Sequence, residues 1–405
     1  MLGAPASDTA PPRATFGAVF AVGEFRALWA AQVLSVTGDQ LARVALTLLV
    51  FDRTHSALLA AVTFAASVVP AFIGGIALSG LADRLPRRRV MIACDLIRVM
   101  LVAVMALGGL PIAALVVLLF LVTLTGAPFQ SARAAVYPDL LAGDLYVLGT
   151  AVTLTTLQFA QVVGFAAGGA IVGFFGVRTS LIVDAVTFAL SALITGLWVR
   201  SAPAARPADD GAAAGRHPLA GLRLVFTSPA LRTPMLLGWL IAFYNVPEGV
   251  SAPLAATLGG GAVAVGLILA SQALGASVGA IAFSRLVPPE RRTRWMSPLA
   301  ATACGVLVLF VFRPPLPLAL ILLCLSGVFD CYQLAANASF VRAAPHRQRS
   351  QAFGIAQGGM SLGQGVAMVL AGAAAERYSP SLVVAVSGAI GAAVAIVLTV
   401  RRSRT

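Results

Sequence analysis

The chain has 405 residues, of which 59% are hydrophobic and only 11% are charged, whereas an ordinary soluble domain has about 25% charged residues. Because so few polar residues cannot cover the surface of a water-soluble fold, the composition predicts an all-α integral membrane protein. All 28 basic residues are arginine, so the chain has no P-loop lysine, and we predict neither an ATPase nor another enzyme activity. The 3 histidines lie outside the apolar runs and the 4 cysteines within them, which predicts no metal, no cofactor and no disulfide.

Twelve apolar runs are long enough to cross a bilayer, for which about 20 residues are needed. We number them as spans one to twelve, and they cover residues 27–50, 57–80, 90–109, 111–132, 146–175, 179–199, 231–257, 262–284, 296–312, 316–341, 350–374 and 380–400. The predicted organisation is a cytoplasmic tail over 1–24, an N-terminal six-helix bundle over 25–199, a cytoplasmic linker with a short surface helix over 200–230, a C-terminal six-helix bundle over 231–400 and a cytoplasmic tail over 401–405.

The arginines set the predicted orientation, because positive charge is retained on the cytoplasmic side of a membrane. With the N-terminus inside, 23 arginines fall on the inner side and 4 on the outer side, and Arg43 lies within span one. Both termini are therefore predicted to be cytoplasmic, in a multi-pass protein of the cell membrane. The net charge of +13 follows from this asymmetry and gives no support to nucleic-acid binding.

The inner loop after span two carries a motif with a counterpart in the second half. It reads Gly80-Leu-Ala-Asp83-Arg84-Leu-Pro-Arg87-Arg88-Arg89, and a related run begins at Gly279 after span eight. The ends of spans four and ten also correspond, because Arg133 and Arg342 are each followed by two alanines. Two halves with matching inner loops are typical of transporters built from parallel repeats.

This pattern resembles the major facilitator superfamily, whose signature loop reads G-x-L-a-D-R-x-G-R-[RK], with Pro86 in place of the second glycine here. The opening runs Phe25-Arg26-Ala-Leu-Trp29 and Gly38-Asp39-Gln40-x-x-Arg43 are similar to the bacterial branch of macrolide exporters and secretion-effector permeases. The resemblance implies two six-helix pseudo-repeats and proton-driven export of small amphiphilic molecules. The antiporter signature G-P-x-x-G-G of span five is matched at its glycines, while Phe165 replaces the proline.

The signature loop contains the predicted conformational gate. Its residues, together with one arginine at the end of span four, are Gly80, Asp83, Arg84, Arg87, Arg88, Arg89 and Arg133. An acid at a helix junction can meet an arginine or a helix N-terminus in one conformation and release it in the other. The alternative is that the arginines only anchor the loop at the cytoplasmic surface.

Five acids fall within the spans, where a charge costs about 2.5–3.5 kcal/mol on insertion scales. Asp95, three residues before Arg98, is interpreted as half of an interfacial pair, and Asp184 is also interpreted as structural. Asp39 lies near the midplane of span one with Arg43 on the same face, which predicts an ion pair that opens when Asp39 takes a proton. The alternative is a static pair that only fixes span one.

Glu248 in span seven and Asp330 in span ten complete the proton-coupling prediction with Asp39 and Arg43. By the resemblance, spans one, four, seven and ten line the central cavity. The predicted cavity side chains are Phe129, Gln158, Gln161, Trp239, Phe243, Tyr244, Asn245, Gln272, Tyr332, Gln333, Asn337, Gln357 and Gln364. As a group they suit a neutral or cationic amphiphile, although each glutamine can instead serve only as a hydrogen bond between helices.

These observations predict a monomeric proton antiporter that exports a drug or secondary metabolite by alternating access, with a small-molecule substrate, protons and the lipid bilayer as its partners. A second hypothesis is an importer or facilitator of a nutrient or lysolipid with the same fold, and flux direction in everted vesicles separates the two. A third is a membrane sensor or scaffold that transports nothing, which predicts that loss of Asp39 has no effect.

Overall fold

The computed structural model describes residues 15–70, 73–74, 85–200, 225–345 and 348–403, and its regular structure there is helical throughout. The helices of the first half are α1 (Phe16–Ala21), α2 (Gly23–Thr54), α3 (Ala57–Ala65), α4 (Arg87–Leu107), α5 (Ile112–Leu124), α6 (Gly126–Leu140) and α7 (Asp144–Trp198). Those of the second half are α8 (Pro229–Gly238), α9 (Ile241–Tyr244), α10 (Val246–Gly249), α11 (Ser251–Thr257), α12 (Ala262–Leu286), α13 (Pro289–Gly305), α14 (Leu316–Phe329), α15 (Tyr332–Ala343), α16 (Arg349–Ala375) and α17 (Pro380–Ser403). A 3-10 helix over Val306–Phe312 continues α13.

Nine helical stretches among the described residues are long and apolar enough to cross a membrane. One of them, α7, has 55 residues, or roughly 80 Å of helix, which is far more than a single crossing needs. It is broken at Gly176, whose φ of +84° is a left-handed conformation that glycine adopts without a steric penalty. The stretches predicted as spans five and six are therefore the two parts of α7 on either side of Gly176.

The stretch predicted as span seven is divided into the four short helices α8 to α11. Pro247 and Pro253 lie in it, and a proline has no N–H to give to the carbonyl group one turn earlier. The Phe243 carbonyl, which Pro247 leaves unpaired in this way, accepts a hydrogen bond from Ser387 Oγ at 3.2 Å. Because irregular backbone at membrane depth is stable only inside protein or beside a cavity, these breaks mark the segment as the wall of an internal site.

The two halves contact each other at the end of the bundle that carries the α2–α3 and α16–α17 connections, which we call the distal end. There Glu376 accepts hydrogen bonds from Ser56 Oγ at 2.6 Å and from the Leu58 N–H at 2.9 Å. Glycines let the helices approach closely, since a Cβ at Gly169 of α7 would lie 2.7 Å from Gly266 Cα of α12. The distal end is thus closely packed across the two halves.

The apolar core of the second half extends across this contact. It includes Val44 and Leu48 of α2, Phe64 of α3 and Phe165 of α7, together with side chains from helices of the second half. The surface between the halves is therefore part of the protein core near the distal end.

Candidate functional site

A central cavity of about 250 Å³ lies between the two halves. The residues that line it are Arg43, Val68, Gln158, Gln161, Phe165, Tyr244, Asn245, Glu248, Gln272, Ala273, Ala276, Gly327, Asp330 and Gln364. One guanidinium group, two carboxyl groups and four glutamine amides therefore face a single space. With both acids ionised, the cavity carries a formal charge of −1, which favours a cationic or hydrogen-bonding ligand.

The broken segment α8 to α11 positions the polar groups of one wall. Gln272 Nε2 of α12 donates to the Tyr244 carbonyl at 3.0 Å and to Asn245 Oδ1 at 2.7 Å. These bonds hold the junction of α9 and α10 against α12. Glu248, one turn further along, lies half-buried at the cavity wall.

Asp330 reaches the cavity because α14 ends one residue before it. The Tyr244 hydroxyl donates a hydrogen bond to Asp330 Oδ1. Gln333 Nε2 in turn donates to Tyr244 Oη at 3.1 Å and to the Gly238 carbonyl at 2.9 Å. This chain of bonds fixes the orientation of the Asp330 carboxyl group and leaves its other oxygen without a bond to Tyr244.

Arg43 supplies the cation of the cavity from the first half. Its Nη2 donates to the Ser67 carbonyl at 3.1 Å, just beyond the end of α3. Arg43 and Asp39 act on each other electrostatically, but no ion pair within 4.0 Å joins these two described residues. Arg43 also interacts electrostatically with Glu248, so its guanidinium is influenced by one acid from each half.

The remaining predicted cavity residues lie elsewhere. Trp239, Gln333, Asn337 and Gln357 surround a separate cavity of about 50 Å³. Phe243 faces a lateral apolar groove of about 470 Å³ between α9, α16 and α17. Tyr332 is wholly buried and Phe129 is buried in the first half. No polar or charge signal in the sequence distinguishes the lining residues Val68 and Phe165. Pro247 and Pro253, in contrast, were a signal for the break in span seven that shapes one wall.

A second polar region, which we call the buried cluster, consists of Asp39, Asp95, Arg98 and Asp184. Arg98 Nη1 lies 3.5 Å from Asp95 Oδ1, and Ser191 Oγ donates to Asp95 Oδ2 at 2.6 Å. The predicted pair of Asp95 and Arg98 is present, but both side chains are buried, with 0% and 4% of their surface exposed. The cluster does not share the lining of the central cavity.

The guanidinium of Arg98 is enclosed by aromatic rings. Its Cζ lies 5.4 Å from the ring centre of Phe129 and 5.1 Å from that of Phe188. Both distances are within the range of a cation–π interaction, which stabilises a desolvated cation. Phe129, predicted as a cavity residue, thus contacts the buried cluster.

In the described part of the signature loop, Arg87 and Arg88 form hydrogen bonds within the first half. Arg87 Nη1 donates to the Ala135 carbonyl at 2.7 Å and to Asp139 Oδ2 at 2.5 Å, and Arg88 donates to a carbonyl near the end of α7. Arg89 is exposed, and Arg133 lies over the ring of Tyr137. The remaining predicted gate residues, Gly80, Asp83 and Arg84, lie outside the described residues.

Apolar spanning helices in two halves around a polar cavity are the architecture of a membrane transporter, and this chain is a multi-pass membrane transporter. The family model of the Major Facilitator Superfamily matches residues 28–289 and 249–405. The chain belongs to the Major Facilitator Superfamily.

Similar proteins include exporters. The chain is 25% identical over 354 residues to the multidrug efflux pump Tap of Mycolicibacterium fortuitum, with 84% of this chain and 86% of that protein covered. It is 28% identical over 319 residues to the enterobactin exporter EntS of Citrobacter koseri, with 75% and 73% covered. A crystal structure of a POT family transporter in complex with a thioalcohol-conjugated peptide superposes with a TM-score of 0.76 at 10% identity, covering 94% of this chain and 96% of that one, which shows a shared fold.

Proposed function

We propose that this chain exports small amphiphilic molecules by proton antiport, with alternating access of the central cavity to the two sides of the membrane. In this proposal the chain is a monomer with twelve spans and cytoplasmic termini, in which a bundle over 25–199 and a bundle over 231–400 move against each other. The exporters Tap and EntS, to which the chain is similar along most of its length, support the direction of transport.

The observation that carries the proposal is the central cavity with its paired charges. Glu248 and Asp330 present carboxyl groups from the second half, and Arg43 presents a guanidinium group from the first. A cationic substrate and a proton compete for the same carboxylates, so binding of one favours release of the other. Ionisable groups at membrane depth that face a cavity are typical of proton and substrate pathways.

The packing of the distal end supports alternating access. In this proposal the cavity is closed at that end by the hydrogen bonds of Glu376 and by the close packing of Gly169 against Gly266. The predicted orientation assigns this end to the outside. The cavity volume of about 250 Å³ is below the roughly 300–1,000 Å³ of sites for drug-sized molecules. Separation of the halves at either end enlarges this space during a transport cycle.

The proposal is tested in proteoliposomes of purified protein with DNA enclosed as a reporter of ethidium. Ethidium is a planar, permanently charged amphiphile, so a pH gradient alone does not concentrate it. We expect ethidium to accumulate in an acidic lumen as protons leave, and Glu248→Gln to abolish this accumulation. Glu290→Gln, an exposed site at the start of α13, is the matched control and should transport normally. Equal ethidium uptake with and without the pH gradient would contradict antiport.

A further inference from the structure

The buried cluster has one cation of its own, Arg98, for its three acids. Asp95 and Asp184 have no exposed surface, Arg98 is 4% exposed, and Asp39 is half-buried. The charges that act on Asp184 are those of Asp39 and Arg98, and the same two residues act on Asp95. Arg43 also acts on Asp39, but its guanidinium faces the central cavity. Arg98 therefore acts on all three acids, and Arg43 adds a positive charge at Asp39.

The other groups beside Arg98 and Asp95 are neutral. Thr125, between α5 and α6, accepts a hydrogen bond from Arg98 Nε at 3.2 Å, and Ser35 of α2 accepts one from Nη1 at 3.3 Å. Cys94, next to Asp95, is a buried free thiol. None of these groups supplies a second positive charge. A buried carboxylate without a counter-charge is far less stable than a neutral carboxylic acid.

Of the two fully buried acids, Asp184 has the weaker stabilisation of a negative charge. Its Oδ1 is 3.5 Å from the Thr187 hydroxyl, and no described residue forms a hydrogen bond with its buried Oδ2. Asp95, in contrast, has the bond from Ser191 and the contact with Arg98. A Cβ at Gly38 would lie only 2.3 Å from Asp184 Oδ1, so this carboxyl group packs against the backbone beside Asp39.

We propose that the buried cluster is a proton-binding site in which Asp184 carries the proton, Asp39 is the neighbouring carboxylate and Arg98 neutralises Asp95. The rings of Phe129 and Phe188 enclose Arg98 and leave no room for a larger ligand beside it. A proton is therefore the ligand that suits this site. Protonation here forms only the O–H bond of the Asp184 carboxyl group, and deprotonation breaks it and returns the proton to solvent by way of half-buried Asp39.

The site would connect to the central cavity through Arg43. This residue follows Asp39 by one helical turn and acts electrostatically on both Asp39 and Glu248. A change of protonation at Asp184 alters the field at Asp39 and thereby the charge balance that Arg43 presents to the cavity. This coupling rests on the proposed antiport, whereas proton binding by Asp184 does not.

Infrared spectroscopy of the purified full-length protein tests the site without any substrate, because protonated carboxyl groups have their own carbonyl-stretch band. At neutral pH we expect the band of a protonated carboxyl group, and Asp184→Asn should remove it. Asp144→Asn, which neutralises an exposed acid at the start of α7, is the matched control and should leave the band unchanged. An unchanged band in Asp184→Asn would overturn the proposal.

Folding of the variants gives a second test, because an asparagine imitates a protonated aspartate. Asp184→Asn should keep the melting temperature of the parent, whereas Asp95→Asn removes the carboxylate beside Arg98 and should lower it. Failure of Asp184→Asn to fold, beside a well-folded Asp95→Asn, would also overturn the proposal.

Transport assays separate this site from the proposed function. If the infrared band is lost in Asp184→Asn but ethidium transport by the parent does not depend on the pH gradient, the proton site is supported and the proposed antiport is contradicted. If Asp184→Asn retains both the band and proton-driven transport, antiport stands and the proton site fails.

Discussion

The central cavity and the buried cluster contain similar chemical groups in different surroundings. The cavity sets Glu248 and Asp330 beside an open volume of about 250 Å³, where a ligand can reach both acids. In the cluster, Asp95 and Asp184 have no exposed surface, and the cation Arg98 lies over the rings of Phe129 and Phe188.

This difference has a structural origin. Pro247 and Pro253 interrupt the segment α8 to α11 and expose backbone and side-chain polar groups to the cavity, whereas α2 in the first half runs as 32 helical residues. The interrupted wall of the central cavity can admit a substrate. The continuous helix α2 covers the acids of the buried cluster, which can therefore exchange only a proton. Variants that change either the central cavity or the buried cluster, and leave the other region intact, test this difference.

The largest expected effect is on stability, from removal of the cation of the buried cluster. Arg98→Met leaves enclosed acids without their counter-charge and should cost about 3–5 kcal/mol. Arg43→Met is the matched control in the cavity, where water can solvate the acids, and should change stability much less. Thermal unfolding of both purified variants checks this, and equal losses would contradict the contrast between the regions.

A smaller effect is expected from added volume in the buried cluster. The Cβ introduced by Gly38→Ala would lie 2.1 Å from Thr187 Oγ1 and 2.3 Å from Asp184 Oδ1, so one of the helices must shift. We expect a loss of about 1–3 kcal/mol in the free energy of unfolding. Gly305→Ala, where nothing lies within 4 Å of the new Cβ, should be neutral or stabilising. Similar unfolding curves for the two variants would show that the cluster is loosely packed.

The distal end gives a conformational prediction. Hydrogen bonds from the Leu58 N–H and the Ser56 hydroxyl lower the pKa of Glu376, because they stabilise its carboxylate. The contact is therefore complete above the ordinary carboxyl range and is lost as pH falls through the lowered pKa. Glu376→Gln should open the distal end roughly two- to fivefold more often, as an exposed charged contact of up to about 1 kcal/mol allows.

Labelling with an impermeant maleimide checks this at a cysteine introduced at Phe165, in a background without the 4 native cysteines. Because maleimide reacts with the thiolate, each rate is divided by that of free cysteine at the same pH. On this relative scale the parent should label faster in acid, and the Glu376→Gln variant should label faster at neutral pH with no further increase in acid. Equal rates in both proteins at every pH would show that Glu376 does not hold the halves together.

The smallest expected effect concerns the proline-broken wall. Ser387→Ala removes the donor to the Phe243 carbonyl and should destabilise the protein by about 0.5–1.5 kcal/mol. Ser284→Ala is the matched control, because the Ser284 hydroxyl only donates to the Ile281 carbonyl within its own helix. Equal melting temperatures for the two variants would indicate that another group donates a hydrogen bond to the Phe243 carbonyl.

Much of the fold could be predicted from the sequence, because hydropathy and arginine placement depend on local composition. The helical membrane architecture, the family and the location in the membrane are confirmed. Of the predicted site, Arg43, Glu248 and Asp330 do face one cavity, but their roles there stay predictions.

The sequence could not predict whether a polar residue faces the central cavity or the buried cluster. Asp39 and Arg43 share a helix face at i+4, yet Arg43 turns to the cavity and the Ser67 carbonyl while Asp39 joins the buried cluster. Asp184 is distant from both in sequence, and only the packing of α7 against α2 brings it to Gly38. Such long-range contacts depend on tertiary packing and leave no periodic signal in one chain.

The most direct measurement of the central claim, that proton and substrate compete in the central cavity, is ethidium binding to the purified protein as a function of pH. We predict that binding weakens as pH falls through protonation of the cavity acids, and that Glu248→Gln both weakens binding and flattens this pH dependence. Asp184→Asn, outside the cavity, should still bind ethidium. An unchanged pH profile in Glu248→Gln, with full affinity, would contradict the account.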